Sequence, residues 1–173
     1  MKKLFTIAMF ATAIMTGIQA CAQEDKSKRP SPPAKVTQKI KSGATITIDY
    51  SQPSVKGRKI GSAVEPNDGK VWRTGANEAT VFETDKDVTV QGKKLAAGKY
   101  GLFTLFNGND VSVIFSKTWK QWGTDYNEKD DALRVDTKYM TAAAPSEKMT
   151  FKISPAGDVS LLWGDRKVDF TVN

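Results

Sequence analysis

From about position 35 to the C-terminus the apolar residues of this chain recur at every second position, and that period constrains the fold more than any other feature. Ile46, Ile48 and Tyr50 alternate with Thr45, Thr47 and Asp49. Successive side chains of an extended strand point to opposite faces, so the pattern predicts a strand with one buried face. Ser42-Gly43 separates it from a shorter strand at 36–40. Further strands are expected at 71–73, 79–84, 88–90, 100–106, 111–115, 133–137, 149–154, 159–163 and 168–172, with Gln91-Gly92-Lys93 closing a hairpin. The 100–106 segment is apolar on both faces, as in the central strand of a sheet covered on two sides. Helical signals are confined to single turns within 118–122 or 128–131. The fold class is therefore all-β: an antiparallel β-sandwich or partly open barrel of about ten short strands. Two long loops, 53–70 and 116–131, break the pattern, and long loops in compact domains commonly carry function.

The N-terminus reads differently. Lys2 and Lys3 precede an uncharged, largely apolar run at 4–18, too short for a comfortable membrane span and of the length of a secretory h-region. Two cleavage readings compete. Ala20-Cys21-Ala22 is an A-x-A site, making 1–22 a signal peptide. Alternatively, 18–21 resembles a lipobox, making 1–20 the signal and Cys21 a lipidated N-terminus. The expected location is the periplasm, or the outer membrane as a tethered protein if Cys21 carries lipid. Residues 23–34, polar and with Pro30, Pro32 and Pro33, read as a stiff tether dispensable for folding. Residues 35–173 read as a single β domain, large enough to bury a core without staples.

Cys21 is the only cysteine of the 173 residues, so the domain has neither disulfide nor thiol chemistry. Most of the net charge of +7 lies before Ser42, since from Ser42 onward 18 bases face 17 acids. A nucleic-acid reader would carry a basic face on the domain itself, and that partner class is set aside. Membrane contact is expected only through the signal peptide or a lipid on Cys21.

The chain has no histidine, which removes histidine-based triads, proton shuttles and the usual zinc sites. No glycine-rich phosphate loop is present. Asp125-x-Asn127 begins like a calcium loop, but Lys129 and Asp130 stand where an oxygen ligand and a glycine belong. No metal and no cofactor are expected. Carboxylates remain, and Glu78 is the strongest single candidate for chemistry. It lies in the densest polar and aromatic run of the chain, 70–80. There Arg73 and Glu78 are expected to form an ion pair beneath a turn at Gly75, either as a structural lock or on the wall of a cleft. Trp119, Trp122 and Tyr126 crowd the second loop, where such rings either plug a core or form a stacking platform. Trp163 alternates with Leu161 and Val159 and reads as core.

Asp49-Tyr50-Ser51-x-Pro53-x-Val55-Lys56-Gly57-Arg58, the run GKVWRTGANEAT from Gly69 to Thr80, Ala97-Gly98-Lys99-Tyr100-Gly101-Leu102-Phe103-Thr104 and Gln121-Trp122-Gly123 together resemble a bacterial family of exported proteins, domain-of-unknown-function family 2911. At 63–68 the chain departs from the family pattern, carrying Glu65, Asn67 and Asp68 in place of an aliphatic and aromatic run. The resemblance implies fold and export, and no mechanism. The reading reached is a non-catalytic module of the cell envelope that binds a small molecule, glycan or protein. Its candidate contacts are Trp72, Arg73, Asn77, Glu78, Trp119, Trp122 and Tyr126. The alternatives are a carboxylate-based hydrolase and a purely structural envelope protein.

Overall fold

The computed structural model describes residues 25–173. The leader, both cleavage sites and Cys21 lie outside the described residues. Among the described residues the strands are β1 (Pro33–Lys39), β2 (Thr45–Ser51), β3 (Val71–Trp72), β4 (Thr80–Thr84), β5 (Val88–Val90), β6 (Lys93–Leu95), β7 (Gly98–Asn107), β8 (Asp110–Ser116), β9 (Asp131–Ile153) and β10 (Asp158–Thr171). Helical structure is limited to 3-10 turns at Lys26–Lys28 and Glu128–Asp130.

One antiparallel sheet runs in the order β1-β2-β4-β7-β8-β9-β10, with β3 paired to β7, and curls into a half-barrel. The chain beyond β2 helps to close it: Val55 N donates to Glu147 O at 2.8 Å, and Met149 N donates to Pro53 O at 3.0 Å. At the other end Thr89 and Asn173 exchange backbone hydrogen bonds of 2.7 and 2.9 Å, which ties the small β5–β6 hairpin to the C-terminus. The concave face holds the main core, including Ile46, Ile48, Phe82, Val113, Phe115 and Val135. Phe115 meets Phe82, Tyr100 and Phe170 edge-on at 5.0, 6.5 and 6.1 Å. The alternation of β2 and β4 produces this directly, because every second side chain enters the barrel.

Strand β7 is central, as its doubly apolar sequence predicts. Leu102 and Phe106 face the main core, while Phe103 joins Ala79 and Ile114 in a second, outer cluster. The loop between β8 and β9 covers that cluster with Tyr126, whose ring lies 4.9 Å from that of Phe103.

Three expectations require correction. The segments expected as four strands near the C-terminus form two long ones. The pairing of β9 with β10 runs on through the gaps between the expected strands, with register shifts at Leu162, Gly164 and Arg166. Such bulges absorb extra residues without ending the ladder. Lys93, read as part of the hairpin turn, opens β6 instead. Finally, residues 25–34 are not a free tether. Gln52 N donates to Pro32 O at 2.8 Å, β1 begins at Pro33, and the preceding turn docks on the 73–78 loop. That docking is polar, and so leaves no trace in a hydrophobic pattern.

Candidate functional site

The 70–80 run leaves the sheet at Trp72 and returns at Thr80, and its turn is held by its own polar groups. Thr74 and Asn77 adopt left-handed backbone, with φ of 52° and 59°. Trp72 Nε1 donates to Gly75 O at 3.0 Å, and the Thr80 hydroxyl donates to Thr74 O at 2.8 Å. Gly75 serves close approach rather than a positive φ: a Cβ there would lie 2.8 Å from Thr80 Oγ1 and 3.2 Å from Ser51 O.

The second long loop clips onto this turn. Gly123 N donates to Asn77 O at 3.1 Å, Ala79 N donates to Gln121 O at 3.2 Å, and Glu78 and Trp122 form a β-bridge. The Arg73 stem lies where a Cβ on Gly123 would stand. Arg73 is thereby pressed beneath the loop with its side chain only 19% exposed. Its Nη2 reaches Glu65 Oε2 at 3.5 Å, at the limit of hydrogen bonding, and its buried Nε has no partner among the described residues.

The guanidinium borders a cleft of about 210 Å³ walled by Ser31, Arg58, Glu65, Trp72, Arg73 and Trp163. Trp72 and Trp163 supply apolar walls but are themselves core residues, each 2% exposed. Trp163 Nε1 donates to Glu65 O at 2.8 Å, which fixes the backbone carrying the one carboxylate that the described residues bring to this cleft. Arg58 is anchored through Nη2 to Ser54 O at 2.6 Å and Nε to Val55 O at 3.0 Å.

The expected Arg73–Glu78 ion pair does not form. Glu78 instead accepts from Lys26 Nζ at 2.8 Å and from Arg29 Nη1 at 3.0 and 2.9 Å. Burial by itself would raise the Glu78 carboxyl, but hydrogen bonds from Lys26, its own backbone N–H and Arg29 outweigh it and hold the group at about 2. Asn77 Nδ2 donates to Ser31 O at 3.1 Å, so neighbouring residues grip the N-terminal strap in two places. Glu78 and Asp49 both line a second small cleft, of about 180 Å³, where Asp49 is paired with Lys35 at 3.1 Å.

The sequence-chosen residues thus divide. Trp72 and Arg73 line the first cleft, Glu78 lines the second, and Asn77 ties down the strap. Trp119, Trp122 and Tyr126 line neither. Trp119 is 36% exposed with Lys99 Nζ 5.3 Å above its ring, and Trp122 is 48% exposed. The Tyr126 hydroxyl meets Asp131 Oδ1 and Oδ2 at 3.0 and 2.9 Å and Arg134 Nη2 at 2.6 Å. Burial and then the Asp131 carboxylate push it up to about 12. Sequence reasoning missed Ser31, Arg58 and Glu65 as cleft walls. The unpatterned 53–70 loop pointed toward the last two, but nothing local joined them to Arg73.

This cleft can pair an arginine fork with a carboxylate or similar planar anion, bidentate and charge-assisted. It does not offer the two facing carboxylates that glycoside cleavage uses. Among the described residues no group of three or more His, Cys, Asp or Glu could hold a metal ion.

A family model described as a protein of unknown function (DUF2911) matches residues 31–172. A stretch of 68 residues is 29% identical to the AP2/ERF and B3 domain-containing transcription factor RAV1 of Arabidopsis thaliana, covering 39% of this chain and 20% of that protein's length. No solved structure matches significantly.

Proposed function

We propose that this chain, which belongs to the DUF2911 family of proteins of unknown function, is a non-catalytic binding module of the cell envelope that takes an acidic group of its ligand into the cleft beside Arg73. The observation that carries the reading is the Arg73 guanidinium. It is four-fifths buried, and among the described residues it meets one carboxylate, at 3.5 Å, and leaves Nε without a partner. A buried charged group so thinly satisfied is costly, and an incoming carboxylate would complete it. The cleft, at about 210 Å³, suits the acidic end of a peptide or a sugar acid rather than a whole drug-sized ligand. Export to the envelope rests on the charged n-region, the apolar run at 4–18 and the cleavage patterns around Cys21.

The carboxylate-hydrolase alternative has less support. Among the described residues Glu65 is the single carboxylate of the cleft, and Glu78, held at about 2, is displaced in the wrong direction for a general acid. The RAV1 likeness adds no nucleic-acid reading, because it covers a minority of both chains and from Ser42 onward 18 bases face 17 acids.

The test is a melting screen of the purified mature chain against acetate, glucuronate and short peptides with free C-termini. A ligand at a hundred times its Kd stabilises the fold by about 2.7 kcal/mol. The wild type should shift with at least one acid, and Arg73→Lys should lose that shift while keeping its fold. A silent panel, or a shift that survives Arg73→Lys, refutes the assignment.

A further inference from the structure

We infer that the protein carries a second, separate binding cleft, built around Arg166, for a phosphate-bearing ligand. This cleft, of about 490 Å³, shares the 53–65 segment with the first as a wall, and its lining includes Arg58, Lys59, Tyr139, Thr141, Asp165 and Arg166. Arg166 is half-buried, and its guanidinium sits 5.5 Å from the Phe106 ring and 5.3 Å from the Tyr139 ring. Aromatic faces hold a guanidinium in place without using its N–H donors. Among the described residues no carboxylate pairs with Arg166 and no protein atom accepts a hydrogen bond from its guanidinium. Five donors are thus fixed in position and left to solvent or a ligand.

The backbone is shaped to put this group there. The register of β10 against β9 shifts between Gly164 and Arg166, and bulges of this kind re-aim a side chain. Gly61, at φ +85°, leaves room for the guanidinium, since a Cβ there would lie 2.7 Å from Arg166 Nη2. Gly164, at φ +57°, likewise has Ile60 Cδ1 where its Cβ would be. Two glycines, a bulge and two rings therefore converge on one unpaired arginine.

Charge selects the ligand class. Among the described residues lining the cleft, Arg58, Lys59 and Arg166 stand with a single carboxylate, Asp165. Three cations against one anion match a dianion better than a monoanion, and arginine forks suit phosphate oxygens. The Tyr139 and Thr141 hydroxyls add donors for the remaining oxygens or for a sugar. The ligand is accordingly a phosphoryl group, either on a soluble molecule or on a lipid headgroup.

Titration calorimetry of the mature chain with inorganic pyrophosphate and glucose 6-phosphate reads the soluble form. Co-sedimentation with phosphatidylcholine vesicles containing phosphatidic acid, against pure phosphatidylcholine, reads the lipid form. Saturable binding in either arm is expected, weakened about tenfold or more by Arg166→Gln, the usual effect of losing a charge-assisted contact. Removing Arg166 also removes its ring contacts, so Lys59→Gln, at an exposed site, provides a second variant and should weaken binding several-fold without changing the melting temperature. Arg58 borders both clefts and is left intact. Arg73→Lys should leave phosphate binding unchanged, which separates this site from the carboxylate cleft. No binding in either arm, binding insensitive to Lys59→Gln, or binding lost in Arg73→Lys would overturn the proposal.

Discussion

Replacing Glu78 with glutamine should loosen the N-terminal strap from the domain. Three charged groups meet at this point, and their exposure sets the size of the effect. The side chains of Lys26, Glu78 and Arg29 are 53%, 36% and 16% exposed. The Lys26 link is a surface pair and contributes a few tenths of a kcal/mol. Arg29 is more enclosed, and its charge-assisted bonds to both carboxylate oxygens would contribute about 1.5–3 kcal/mol if fully desolvated. Solvent screening at a carboxylate more than a third exposed reduces this to about 1 kcal/mol. The Glu78→Gln variant should therefore lose about 1–1.5 kcal/mol, or roughly 3–6 °C in melting temperature for a domain of this size. The pH dependence carries a definite sign. The carboxyl is lowered from 4.5 in the unfolded chain to about 2 in the fold. Its contribution is complete above pH 4.5 and disappears as pH falls toward 2. The wild type should lose its advantage over Glu78→Gln across that window, as followed by urea unfolding at several pH values. A double-mutant cycle with Arg29→Ala should show coupling of about 1 kcal/mol, and trypsin should cut after Lys26 or Lys28 sooner in Glu78→Gln. Additive losses, with proteolysis unchanged, would refute a docked strap.

Gly123→Ala should destabilise the protein by about 2 kcal/mol or more, because its Cβ would overlap the Arg73 stem and lie 2.8 Å from Asn77 O, and overpacking of this kind forces backbone movement. Denaturant unfolding tests it, and a neutral result would mean that the second loop does not clip onto the 73–78 turn. Tyr126→Phe should cost about 1 kcal/mol through the lost hydroxyl bonds, while leaving the Arg134–Asp131 pair in place. In an ultraviolet titration the Tyr126 phenolate should appear near pH 12 rather than 10. Because the folded value is the raised one, the associated stability is present below pH 10 and lost as pH rises through 12. A phenolate difference between wild type and variant already complete at pH 10 would contradict the burial of this ring.

The strands were legible because alternation is a local code. Thr45 to Tyr50 specify one buried face by themselves, and the doubly apolar 100–106 segment announces a strand covered on both sides. Polar groups proved far less legible. Arg73 and Glu78 stand close in sequence and opposite in charge, yet the turn through Thr74 and Asn77 directs them to different partners. Arg73 turns toward Glu65, while Glu78 meets Arg29, 49 positions earlier.

Sequence by itself therefore determined the all-β class, the central place of β7 and the apolar inventory of the core, since hydrophobic burial follows a period that any short window displays. Only the tertiary structure decided how β9 and β10 pass their bulges, where the strap docks, and which guanidinium groups stay unpaired. A hydrogen bond or ion pair depends on a few tenths of an ångström and on partners brought from distant segments, as when Trp163 donates to Glu65 O across 98 positions. Arg166 shows the same limit. Its surroundings come from Gly61, Phe106 and Tyr139 on three separate segments, so its lack of a partner exists only once those segments are folded together.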